Sequence, residues 1–364
     1  MVLRQEGRRV KVSVIVPVYN VEAWLAACLD SLLEQGLSDT EYEIICVNDG
    51  STDRSGEIAR DYAERYRQIR VISQANAGLS SARNAGIREA AGEYAAFIDS
   101  DDLLAPNVLA GLYHLASINS LDQLLFDFER FRDGTNVLPA GQGVDRKRFM
   151  LFRDSQSMRN CKLVPAWRTA WNYLVRLSVL RKYRLEFPEG VIFEDAEFNF
   201  WLDRCVDRCG YLNQKLYYYR QREGSILRTF MSDPYFPRYI QGRIKLAAHH
   251  KARLEDYHAG ILPELWRPVS EVELEERLID EVQGILNRLL AKGEQKIFRQ
   301  TLTALSAQGL YPYPMRIKRL WRQRNFRRQM TDVISFLFPV QGYLLLCMWF
   351  RIHLLPYDSE KHQE

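Results

Sequence analysis

The sequence has little that would staple it, anchor it or tie it to a polyanion. Its six cysteines form no CxxC pair and no zinc-finger spacing, so neither a disulfide framework nor a structural zinc site is expected. Cys28, Cys46, Cys161, Cys205, Cys209 and Cys347 read instead as reduced thiols, with Cys205 and Cys209 one helical turn apart. An excess of charge of one sign is also missing. Lys+Arg 50 against Asp+Glu 46 leaves only +4, too little by itself to imply a nucleic-acid binder. No GxGxxG follows a strand-like run, which removes the dinucleotide-dependent dehydrogenases. Arg4, Arg8, Arg9 and Lys11 precede an apolar run, but residues 12–18 are too short for a signal peptide and contain Pro17. A cytoplasmic location is therefore expected. No internal repeat is visible.

What is present is ordinary globular composition: 364 residues, 47% hydrophobic and 26% charged, enough for a core without staples. Residues 12–18 (VSVIVPV) are a β-branched apolar run, as in a strand buried on both faces. From Glu22 to Gln35 apolar residues recur at helical spacing. Strands are predicted again at Glu43–Val47, Ile69–Ser73 and Tyr94–Ile98, and helices at about Asp53–Tyr66 and Leu79–Ala90. Pro106 suits the first turn of a fourth helix. This alternation predicts an α/β fold, a mostly parallel sheet flanked by helices. In such sheets ligands bind at the carboxyl ends of the strands. The polar motifs follow strands one to four, so all four should converge on one edge.

Each strand end carries its own chemistry. Tyr19, just past the first strand, offers a stacking face. Asp49, just past the second, can accept an N–H from a base, although Asn48-Asp49-Gly50 is equally good turn chemistry. Gly78 lets a ligand approach the backbone, and Arg83 can pair with carboxylate or phosphate. Asp99, Asp101 and Asp102 place three carboxylates in four residues. They repel one another unless something positive sits among them, and hard oxygen ligands suit Mg²⁺ or Mn²⁺. A competing reading makes Ser100-Asp101-Asp102 the cap of the helix near Pro106.

In order and spacing, VSVIVPVYN, VNDGSTD, NAGLSSARNAG and FIDSDD together closely resemble the family 2 glycosyltransferases of GT-A fold, over roughly residues 10–115. The resemblance implies a Rossmann-like GT-A sheet and transfer from a nucleotide-diphosphate sugar, most often UDP-linked, with inversion. It assigns Tyr19 and Asp49 to the base, with Arg83 assisting, and puts Asp99 at the ribose and metal. Asp101 becomes the main metal ligand. Pro17, Asn20, Asn76 and Gly78 join the donor-binding set. Inversion also needs a base for the acceptor hydroxyl. Phe193-Glu194-Asp195-Ala196-Glu197 resembles the family's acceptor-side motif, which makes Asp195 the base and Glu194 its helper. The rival reading is carboxylates favoured at a helix N-terminus.

Tyr217-Tyr218-Tyr219-Arg220, with Ser225-Ile226, resembles a late family segment near which some relatives carry a metal-binding His. None of the six His residues falls there, which leaves the third ligand open and offers Arg220, Arg222 or Arg228 to the diphosphate.

The expected domains are a glycosyltransferase domain over 1–230, with donor half 10–115 and acceptor half 116–230, and a mainly helical region over 231–364. Its tail, 316–355, opens with Arg316, Lys318, Arg319, Arg322, Arg324, Arg327 and Arg328 and continues into the apolar run 333–350. That run is broken by Pro339 and Gly342, so it suggests a peripheral segment on an anionic membrane, on its inner face, rather than a spanning helix. It could equally pack on the protein. The expected partners are a nucleotide-sugar donor and a glycan or lipid-linked acceptor in surface-polysaccharide synthesis, and no nucleic acid. A non-catalytic sugar-nucleotide binding module and a metal-dependent nucleotidyltransferase are the alternatives.

Overall fold

The computed structural model describes residues 10–135, 143–165, 168–222, 235–260, 269–292 and 295–311. The chain divides into two compact units, Met1–Thr229 with Pro263–Pro268, and Phe230–Leu262 with Val269–Glu364.

The first unit begins with the expected alternation: β1 (Val12–Val18), α1 (Leu25–Leu33), β2 (Tyr42–Asp49), α2 (Ser55–Arg65), β3 (Ile69–Gln74), α3 (Leu79–Glu89) and β4 (Tyr94–Phe97). A two-residue strand β5 (Leu103–Leu104) comes before α4 (Leu109–Ile118) and β6 (Gln123–Arg132). The chain then forms β7 (Phe149–Phe152) and α5 (Ser155–Asn160), the latter capped by Asp154. Then come β8 (Tyr173–Arg176), α6 (Leu177–Lys182), α7 (Glu194–Cys205) and β9 (Cys209–Gln221).

All nine strands form one sheet in the order β3-β2-β1-β4-β8-β6-β9-β5, with β7 also on β9. The donor half, β3-β2-β1-β4, is wholly parallel. Beyond β4 the sheet is mixed, because β8 runs antiparallel to both β4 and β6, and β5 and β7 run antiparallel to β9. Every residue of β1 is buried, which is why its run is apolar throughout rather than alternating. Val12, Val14, Val16 and Val18 share one core with α1 and α4. On the other face Ile15 meets α3 at Gly86.

Two local expectations are corrected. Pro106 does not open α4. The chain first pairs β5 with β9, and the helix begins three residues later, at Leu109, with no side-chain cap. Cys205 and Cys209 are not a turn of one helix, since Cys205 ends α7 and Cys209 begins β9. The thiols Cys28, Cys46, Cys161, Cys205 and Cys209 are free, as expected.

The second unit is helical where described: α8 (Phe236–His258), α9 (Glu271–Lys292) and α10 (Gln295–Ala307). Tyr239, Ile240, Ile244, Leu278, Val282, Ile285, Phe298 and Leu305 are buried. An Arg243–Glu281 ion pair lies among them, and burial raises the Glu281 carboxyl to about 7 despite that partner. Among the described residues no helix is long and apolar enough to cross a membrane, and the tail 316–355 lies outside them.

Gly86 gives a direct test of how closely α3 packs. A Cβ there would sit 2.3 Å from Cγ2 of Ile15. Gly86→Ala is expected to destabilise the protein by about 1–3 kcal/mol, although alanine is the better helix former. Urea unfolding measures the change.

Candidate active site

Because β1 to β4 are parallel, their carboxyl ends share one edge. Tyr19 leaves β1 almost half exposed (48%), an aromatic face that nothing in the core claims. Pro17 is buried within β1 and sets the strand end rather than reaching outward. Asn20 takes the left-handed region (φ 50) and its Oδ1 accepts the Thr52 N–H at 2.9 Å, tying the first loop to the second.

The turn after β2 is closed by Asn48, whose Oδ1 accepts the Ser51 N–H at 3.0 Å. Asp49 has a different task. Its Oδ1 accepts from the Ala77 N–H (2.9 Å) and Gln74 Nε2 (2.8 Å), and its Oδ2 from the Gly78 N–H (2.8 Å). The buried carboxylate therefore fixes the third loop, and three of its roughly four acceptor positions are already filled. Gly50 (φ 70) serves the same junction, since a Cβ there would stand 2.8 Å from the Asn76 N–H nitrogen. Asn76 and Gly78 are exposed, and Gly78 (φ 94) has open space above it. Donor-edge loops are thus locked to one another before any ligand arrives.

Helix α3 joins this edge to the acceptor half. Asn84 hydrogen-bonds the Phe187 backbone twice, accepting its N–H (2.8 Å) and donating to its C=O (2.9 Å). Arg83 is buried against the Phe187 ring. Its Nη2 donates to Asp99 Oδ1 at 2.8 Å and its Nη1 to Glu194 Oε1 at 2.7 Å. Burial works against the guanidinium charge, but the Asp99 and Glu194 carboxylates outweigh it and push its pKa above the ordinary value. Sequence reading placed Arg83 with the nucleotide. The structure places it between the two acidic motifs.

Phe193 adopts the left-handed region (φ 57), unusual for a bulky residue, and α7 starts directly after it with Glu194 and Asp195. Burial, then the neighbouring Glu194 charge, raises the Asp195 carboxyl to about 6, with Arg83 opposing. Glu197 takes no part, because it is buried and accepts the Trp201 Nε1–H at 2.6 Å.

The three acids after β4 have three different fates. Asp99 pairs with Arg83. Asp102 is fully buried and accepts from the Tyr217 hydroxyl (2.6 Å) and the Arg220 N–H (2.7 Å), so it pins β9 to the loop and caps no helix. Asp101 accepts from Arg222 Nε at 2.7 Å, while burial and then the Asp99 charge raise its carboxyl above the usual range. Arg220 turns away, donating to Asp101 O (2.7 Å) and Asp133 Oδ1 (2.8 Å). Arg228, Ser225 and Ile226 lie outside the described residues. Trp24 and Asp133 beside this cluster carry no motif signal, since only their contacts mark them.

The cation expected at Asp99 and Asp101 can be tested against this geometry. Among the described residues no three His, Cys, Asp or Glu side chains form a cage. Two carboxylates are nevertheless a fitting donor set, because Mg²⁺-type ions commonly take one or two carboxylates and complete their shell with substrate phosphates and water. Burial, with the Asp99 charge second, raises the Asp101 carboxyl, and a cation beside it would oppose both effects.

Removing the Arg83 bridge should be costly. Its side chain is 3% exposed, and Arg83→Met leaves the Asp99 and Glu194 carboxylates facing each other without a counter-charge. The expected loss is about 3–5 kcal/mol in chemical denaturation. Arg83→Lys should recover only part of it, because one ammonium lacks the planar fork that spans both acids.

Known proteins resemble this chain in sequence and in fold. The family model for glycosyl transferase family 2 matches residues 13–183. The glycosyltransferase EpsJ of Bacillus subtilis, itself uncharacterized, is 41% identical over 253 residues, which are 69% of this chain and 71% of that protein. The poly(ribitol-phosphate) beta-glucosyltransferase of Bacillus spizizenii is 33% identical over 183 residues, 50% of this chain but only 27% of its own length. Among solved structures, Staphylococcus aureus TarS 1-349 in complex with UDP-GlcNAc has a TM-score of 0.67 at 21% identity, covering 94% of this chain and 92% of that one, which shows a shared fold. The EpsJ likeness extends well past the four donor motifs, and the chain belongs to glycosyltransferase family 2.

Proposed function

We propose that the protein transfers a sugar, a hexose or N-acetylhexosamine, from a UDP-linked donor to an acceptor hydroxyl with inversion. The observation that carries this is the Asp195 carboxyl. It is raised to about 6, sits at the start of α7, and is joined through Glu194 and Arg83 to Asp99 of the donor loop. A carboxylate with that pKa is mostly ionised at neutral pH and more basic than an ordinary aspartate, as a general base requires. It would take the proton as the acceptor oxygen attacks the anomeric carbon from the face opposite the diphosphate. Glu194 holds the base in place and keeps it basic. Tyr19 stacks on the uracil, and Asp49 holds the Asn76–Gly78 loop against it. A divalent cation, Mn²⁺ or Mg²⁺, held by Asp101 and Asp99 would supply charge for the departing diphosphate.

A UDP-linked donor is supported by the fold shared with TarS, which was solved with UDP-GlcNAc. A polymeric acceptor is supported by the relative named for poly(ribitol-phosphate). Peripheral placement on an anionic membrane rests on the basic residues of the tail 316–355.

Four outcomes test this reading. Asp195→Asn should lower turnover by ~10²–10⁴-fold while leaving UDP-sugar affinity unchanged. Loss of donor binding would instead move Asp195 to the donor site, and unchanged turnover would remove it as the base. A base acts in its ionised form, so turnover should be full above pH 7 and fall as pH drops through about 6. Glu194→Gln removes the like charge that helps raise Asp195, so in that variant the acid limb should move to lower pH. Tyr19→Ala should weaken UDP binding by ~1–3 kcal/mol, the usual worth of stacking a base on an aromatic ring. Isothermal titration with UDP measures it.

A further inference from the structure

Arg222, directly after β9, is held from two sides. Its Nε donates to Asp101 Oδ2 at 2.7 Å, and its guanidinium lies over the Trp24 ring, 4.3 Å from the centroid. Both members of the ion pair are largely shielded, with side chains 20% and 21% exposed. The Trp24 indole is itself aimed. Its Nε1–H donates to the Asp133 carboxylate at 3.3 and 3.2 Å, and Asp133 also accepts from Arg220. Trp24 stands just before α1, so its ring is a fixed seat rather than a passing contact. Guanidinium on an aromatic face is favourable where water is partly excluded.

Asp101 is also the carboxylate to which the metal reading assigns the cation. One carboxylate oxygen cannot serve a shielded guanidinium and a divalent ion together without placing like charges side by side. We infer that Arg222 is a resident counter-ion of Asp101, seated on Trp24, which a divalent cation must displace. Cation binding is then weakened whenever Arg222 has no other anion to turn to. A nucleotide diphosphate supplies such an anion, so cation and UDP should each strengthen the other's binding by the same factor. Trp24 acts here as a positioning residue, and Arg222 acts through its competition for Asp101.

This inference rests on the proposed cation site at Asp101, and one experiment separates the two. Mn²⁺ binding to the full chain is titrated with and without UDP, reading free Mn²⁺ by electron paramagnetic resonance. The wild type is compared with Arg222→Gln, Arg222→Lys, Trp24→Leu and Asp101→Asn. Without UDP, Arg222→Gln should bind Mn²⁺ more tightly, on the order of tenfold, and the gain on adding UDP should shrink correspondingly. Arg222→Lys keeps a competing charge and should stay near wild type. Trp24→Leu should shift toward Arg222→Gln, because the unseated guanidinium competes less well. Unchanged or weaker UDP-free Mn²⁺ binding in Arg222→Gln overturns the counter-ion role while leaving the cation site standing. Equal Mn²⁺ binding by Asp101→Asn and wild type, with UDP present, overturns the cation site and this inference with it.

Discussion

A buried guanidinium that holds two carboxylates from opposite halves of the sheet is the constraint on which the rest of this site depends. Arg83 lies on α3, between the donor loop after β4 and the start of α7. Its ion pairs with Asp99 and Glu194 are both short and shielded. Isolated buried charges are expensive, and this one is tolerable only because the planar fork of arginine satisfies both acids at once. The loop after β4 and the start of α7 therefore cannot move independently without exposing an unpaired charge. Asn84, next along the same helix, repeats the link through backbone hydrogen bonds to Phe187. Gly86 completes the arrangement by letting α3 lie close enough to β1 for both side chains to reach.

Charge is apportioned around that bridge. Asp102 is satisfied by hydrogen bonds from the Tyr217 hydroxyl and the Arg220 backbone N–H, Asp99 is paired with Arg83, and Asp101 with Arg222. Three acids within four residues thus become one anchor of β9 and two partners of arginines from distant parts of the chain. Burial and then the Glu194 charge raise Asp195, against the pull of Arg83 and of the Ala196 N–H that its carboxylate accepts. A group raised in this way suits proton transfer near neutrality.

Much of the donor half was legible because its signals are local. A fully apolar β-branched run, a polar turn and an amphipathic helix recur within short windows, and each loop follows its own strand. The place of Glu194 and Asp195 at a helix start was legible as well, since carboxylates are favoured at a helix N-terminus. The reading went astray where a neighbour distant in sequence decided the outcome. Pro106 had the local signature of a helix start, but Asn107 takes the left-handed region (φ 59) and donates its N–H to the Glu34 carbonyl, so the helix starts only after it. Asp49 reads locally as a turn residue or a base ligand, and only the fold adds its bonds from the Ala77 and Gly78 N–H groups, 28 and 29 residues away.

The sequence by itself determined the α/β alternation, the parallel donor half and the convergence of its polar strand ends, because strand burial and loop chemistry are encoded within a few residues. Only the tertiary structure decided which charge answers which. Arg83 meets Glu194 across 111 residues, Tyr217 meets Asp102 across 115, and Arg222 meets Asp101 across 121. No short window of sequence can specify such pairs. They exist because sheet order brings β9 beside the donor loop and α3 beside α7, and because a shielded charge needs whichever opposite charge the fold places within reach.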